Sequence, residues 1–202
     1  MNRLFTFVSI ALLSTCTIAA QEENFINGHE YVDLGLSVKW AMNNIGAERP
    51  GDYGNYYAWG ETETKSSYRD HNSTATGLEL GDISGDSLYD AAVANWGGTW
   101  RLPTFLECKE LIDNCEWTWT SQSGNKGYRV TSKINGESIF LPAAGRYNGS
   151  KLEHKGVTGY YVTSMPNADS TQHAAELLFY NEVVRPYWTA RYYGMSVRPV
   201  SE

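Results

Sequence analysis

Apolar and polar positions alternate at both ends of the chain. Leu36, Val38 and Trp40 alternate with Ser37 and Lys39, which predicts a half-buried strand. Met195 and Val197 alternate with Ser196 and Arg198, which predicts a second strand at the far end. Between them, Val130, Ser132 and Ile134 precede Asn135-Gly136, and Ile139-Phe140-Leu141 follow. Asn-Gly tolerates positive φ at both positions, so a hairpin over 129–140 is expected. Ala174–Tyr180 is a further apolar strand candidate.

Helical patterning is scarce. A short helix is expected over 89–95, with Asp90 near its start and Gly97-Gly98 after its end. A better one follows Pro103. Thr104 and Glu107 form a capping-box pair, and Phe105, Cys108, Leu111 and Ile112 fall on one apolar face. Residues 42–87 are rich in Gly, Asp, Asn, Ser and Thr and read as loops around an aromatic segment, 53–59. Repeats and interdomain linkers are absent from the sequence.

The first twenty residues read as an export signal. Arg3 is a positive n-region, and 4–13 is an apolar stretch too short to span a bilayer. Three processing routes stay open. Ala19-Ala20 suits cleavage before Gln21, Leu13-Ser14-Thr15-Cys16 is a lipobox-like alternative with lipid on Cys16, and the segment could be retained as an anchor. Each places the rest outside the cytoplasm, secreted, periplasmic or on the outer surface. The expected division is a signal peptide over 1–20, a short extension over 21–29 and one domain over 30–202. The 202-residue chain has a formal net charge of −7, and losing Arg3 makes it one unit more negative. That balance argues against nucleic acid and anionic membranes as partners. No later apolar stretch approaches membrane length.

Several stretches carry a resemblance. Residues 30–41 read EYVDLGLSVKWA, 57–62 YAWGET, 95–104 NWGGTWRLPT, 139–145 IFLPAAG and 193–200 YGMSVRPV. Together with Asp52-Tyr53-Gly54 and Tyr89-Asp90-Ala91-Ala92, they resemble the Fibrobacter succinogenes major paralogous domain family of Bacteroidetes surface and secreted proteins, in order across nearly all of 30–200. The Trp-Arg-Leu-Pro-Thr segment and the Gly-x-Ser-Val-Arg ending also resemble a wider group with a C-type-lectin-like fold. That group includes sulfatase-modifying enzymes and retroelement-diversified variable proteins. The resemblance implies an α+β fold with small twisted antiparallel sheets, two short helices, long loops and paired N- and C-terminal strands. Trp40, Trp96, Trp100, Arg101, Pro103, Cys108 and Arg198 lie in or beside the matching motifs and are expected to be structural.

Cys108 and Cys115 are seven residues apart, about 10 Å along a helix axis, which is too far for an unstrained disulfide. Two buried thiols, a bond across a distorted helix end, and a metal or redox pair all stay open. The sulfatase-modifying enzymes hold copper on cysteines in their C-terminal part. This chain has none after Cys115, so that activity is not implied. His29, His71, His154 and His173 are scattered, with no ligand spacing. Residues 82–86 hint at a calcium loop, but Ser87 and Val93 stand where an EF-hand needs Gly and Glu, so a solvated turn is the plainer reading. Glu61 and Glu63 would point to opposite faces of a strand, which spoils them as a glycosidase pair. No metal, cofactor or catalytic residue is expected.

Residues 147–193 are dense in Tyr, with Trp188, Asn and Arg interleaved. Such residues make large contacts at low entropic cost. In the lectin-like fold this region forms the ligand face. Tyr147, Tyr187, Trp188, Arg191 and Tyr192 are the candidate contacts, with 185–191 expected as a loop stiffened by Pro186. The expected role is an exported, non-catalytic binding or adhesion module for a glycan or protein ligand. A degenerate relative of the sulfatase-modifying enzymes and a structural component of a surface assembly are the alternatives.

Overall fold

A computed structural model describes residues 24–202. The expected signal peptide, Cys16 and the first residues of the 21–29 extension lie outside them. The described chain is mostly β, with two α-helices and several small sheets, consistent with an α+β class.

The two ends meet in one sheet. Strands β1 (Phe25–Ile26), β2 (His29–Val32) and β3 (Lys39–Ala41) are followed in that sheet by the last strand, β14 (Val200–Ser201). β3 and β14 are antiparallel, with Trp40 opposite Val200. The pairing lies further toward the C-terminus than the alternation of 195–198 suggests. Residues 35–38 are bends rather than strand, although Val38 and Trp40 point inward and Ser37 and Lys39 outward. The fold also starts before residue 30: Phe25 pairs with Glu30, and His29 stacks on Trp96 at 3.8 Å.

The central sheet runs β12-β11-β10-β13-β4. Its members are β4 (Tyr56–Tyr57), β10 (Thr158–Pro166), β11 (His173–Tyr180), β12 (Val183–Ala190) and β13 (Met195–Ser196). β10 and β13 are parallel, and the other neighbours are antiparallel. The sheet divides two cores. Tyr160, Val162, Ala174 and Leu178 face Trp59, Trp100 and Ile83, while Tyr161, Leu177 and Phe179 face Trp40, Leu111 and Val130. Burial on both faces explains the apolar run of β11, which Glu176 alone interrupts. Met195–Ser201 serves both sheets, and all seven residues are buried. Arg198, 1 % exposed, donates to Asn44 Oδ1 and to the carbonyls of Ala41, Met42 and Phe140.

Helix α1 (Ala91–Trp96) is capped by Asp90, and α2 (Phe105–Asn114) by the expected Thr104–Glu107 box. Arg101 forks onto Glu107 at 2.6 and 3.0 Å, locking the Arg-Leu-Pro-Thr turn to the helix it starts. Burial disfavours charge on Glu107, but bonds from Arg101 and Thr104 outweigh it and hold the carboxyl below its ordinary range. A three-stranded sheet follows: β5 (Cys115–Gln122), β6 (Asn125–Ser132) and β7 (Ser138–Pro142). The β6–β7 hairpin is present, but its turn is not a two-residue one. Ser132 accepts Gly136 N–H and donates its own N–H to Glu137, and only Gly136 of the Asn-Gly pair has positive φ. The small hairpin β8 (Arg146–Asn148) and β9 (Lys151–Glu153) sits beside the central sheet, tied to it by Tyr147–Gly194 and Gly145–Gly159 bridges.

Candidate functional site

Strand register decides which side chains share the outer corner of the central sheet. Tyr160, Leu178 and Arg185 are in line across β10, β11 and β12, and so are Val162, Glu176 and Tyr187. Residues in line point to one face. Over that face, Arg146 of β8 and His154, just after β9, close a cavity of about 390 Å³. Tyr160, Tyr180 and Tyr187 give it aromatic walls, with Thr158, Leu178 and Arg185 completing them.

Glu176 lies at the floor. It is the one acid within Ala174–Phe179, fully buried, and no described group donates to either carboxylate oxygen. Burial drives its pKa up to about 8, against the pull of the nearby Arg146 guanidinium. Arg146 does not pair with it. Its guanidinium stacks on Tyr160 and Tyr193 at 4.6 and 4.0 Å, and one amino group donates to Thr189 Oγ1. The Nε of Arg146 has no described partner. Tyr160 is fixed in turn by a 2.7 Å hydrogen bond to His154 Nδ1. Arg185 lies over the Tyr187 ring at 4.9 Å, and Tyr187 stands 47 % exposed at the mouth.

The five residues expected to bind are scattered by this geometry. Tyr187 alone among them lines the cavity. The expected 185–191 loop is instead the edge strand β12. Pro186 misleads a sequence reading here, because an edge strand accommodates a missing N–H. Strand alternation sends Trp188 to the opposite face, where it stacks parallel to Phe105 of α2 at 6.3 Å. Arg191 is buried. It donates to the carbonyls of His173, Ala75 and Leu78 and covers the Trp59 ring, so its donors serve the fold and not a ligand. Tyr147 packs between Tyr56 and Tyr68, and Tyr192 against Tyr193. Glu176, Arg146 and Tyr160 were not singled out for a site. The available signal was a lone acid inside an apolar strand.

Cys108 and Cys115 are buried and carry free thiols. Burial raises both pKa values, that of Cys115 to about 11. Asp82 and Asp86 each accept a backbone N–H two residues on, as turn residues do. Asp90 accepts four backbone N–H groups, from Gly85, Ala92, Val93 and Leu102. Among the described residues no three His, Cys, Asp or Glu side chains are grouped to hold a metal, and no helix is long and apolar enough to cross a membrane. A larger cleft, about 490 Å³, lies beside His29, Asn43, Glu48 and Trp96, but carries no buried charge.

Comparison of the chain with protein-family models, with curated proteins and with solved structures gave no match.

Proposed function

We propose that this chain is an exported, non-catalytic binding module with a C-type-lectin-like fold, belonging to the Fibrobacter succinogenes major paralogous domain family. It recognises a glycan or protein ligand through the cavity over the edge of β10, β11 and β12, on the face that carries Glu176 and Tyr187. The observation that carries the reading is the exposed Tyr187 at the mouth of a cavity whose floor is an unpartnered carboxyl. An aromatic rim with a few convergent polar groups is the usual make-up of a ligand site. Joined chain ends, two short helices and small sheets favour the fold assignment. Thiols that burial holds in their protonated form favour a binder over a thiol enzyme.

The test is a glycan array and a pull-down of surface proteins with the purified chain and with Tyr187→Ala. The wild type captures a ligand. The variant loses about 2 kcal/mol of binding, roughly 30-fold, at an unchanged melting temperature. Equal capture by both proteins, or none by the wild type, overturns the reading.

A further inference from the structure

A buried carboxyl without a donor is costly, so a group that brings donors to it gains more than an ordinary surface contact. Glu176 meets that description, and its surroundings select the donor. The charged and titratable groups around it are Arg146 from β8, His154, Tyr160 from β10, Tyr180 from its own strand, and Arg185 and Tyr187 from β12. An ammonium ligand would bring donors but would enter beside two guanidinium groups. A carboxylate ligand would suit the arginines but brings no donor. A neutral, hydroxyl-rich ring brings donors without charge, and its C–H face matches the tyrosine walls.

We propose that the cavity is a subsite for one neutral sugar ring, with ring hydroxyls donating to Glu176 and the ring face on Tyr187. The proposal rests on the binding-module reading above and assigns its ligand class. Tyr187 is the direct cross-strand neighbour of Glu176 on an exposed edge. The carboxyl is fully buried, so reaching it requires lining side chains such as Tyr187 to turn aside, and exposed side chains rotate in nanoseconds. Arg146, anchored between two tyrosine rings, supports the charge that Glu176 takes on when hydroxyls donate to it. Such donation favours the ionised carboxyl, so binding releases a proton. With the free carboxyl ionising at about 8, affinity rises from acid to mildly alkaline pH.

The experiment is calorimetric titration of the full chain with neutral methyl glycosides, a methyl uronide and an amino sugar. Each is run at about pH 6 and about pH 8 in two buffers of different ionisation enthalpy. A neutral glycoside binds with proton release, more tightly at the higher pH. Glu176→Gln, isosteric and uncharged, weakens it about ten-fold or more and removes the pH dependence. Binding of the uronide or amino sugar alone overturns the ligand class. A neutral sugar bound equally by the variant, with no proton released, overturns the site. Absence of binding by every sugar overturns the proposal. The binding-module reading then still stands if Tyr187→Ala abolishes capture on the array, and falls if it does not.

Discussion

Arg198 Nε donates to Asn44 Oδ1 at 2.9 Å, joining two fully buried side chains that lie 154 residues apart in the chain. The rest of the guanidinium bonds to three backbone carbonyls, with no carboxylate among its bonded partners. Burial lowers its pKa to about 10, so it stays charged at neutral pH. Arg198→Met therefore leaves four acceptors short of a donor, three of them buried. The expected loss is about 3–5 kcal/mol, read by denaturant unfolding. Arg198→Lys recovers only part, since one ammonium cannot reach all four.

Glu176 makes stability depend on pH. Its folded-state pKa, about 8, lies above its ordinary value of 4.5. Below the ordinary value both states hold the proton and the group costs nothing in charge. As pH rises from there to about 8, the unfolded chain loses the proton first, and stability falls by a few kcal/mol. Glu176→Gln removes that fall. Its melting temperature exceeds the wild type's at alkaline pH and approaches it near pH 4, as pH-resolved thermal melts will show.

Trp188 and Tyr187 are neighbours with opposite roles. Trp188→Ala loses the Phe105 stack and costs about 1–2 kcal/mol of stability, while cavity binding is unchanged. Tyr187→Ala does the reverse. Thermal melts and titrations on the two variants separate the faces of β12.

Cys108 and Cys115 should resist reagents in the native state. At about pH 8 the Cys115 thiolate is about one part in a thousand. Thiol labelling is slow until denaturant exposes both groups. Cys108→Ala costs about 1–2 kcal/mol through a small cavity and leaves binding intact.

Gly159 has an ordinary negative φ, so its lack of a side chain matters for space alone. A Cβ there would enter the Phe179 ring. Gly159→Ala costs about 1–3 kcal/mol by overpacking, and Phe179→Leu in the same chain restores part of it, a coupling that a double-mutant cycle measures.

What was legible in the sequence was local. Thr104 and Glu107 are three residues apart and specify their helix whatever surrounds it. Asp90 caps α1 for the same reason. Of the five contacts expected from the aromatic richness of 147–193, only Tyr187 lines the cavity. What stayed hidden was register, because pairing partners lie far apart in the chain. Trp40 meets Val200 where the alternation pointed to Met195–Arg198, and one step along β12 separates the cavity face of Tyr187 from the α2 face of Trp188. Arg191 has the composition of a ligand contact and the burial of a core residue. Glu176 is inconspicuous in the sequence, a single acid inside an otherwise apolar run.

The placement of Met195–Ser201 has a consequence for how the fold closes. β13 lies between β10 and β4, and β14 completes the sheet of the first strands. Neither sheet is complete without this one segment. A chain lacking it keeps open strand edges, to which other chains can pair. Loss of that one segment therefore opens two sheets at once, so neither can be completed independently of the other.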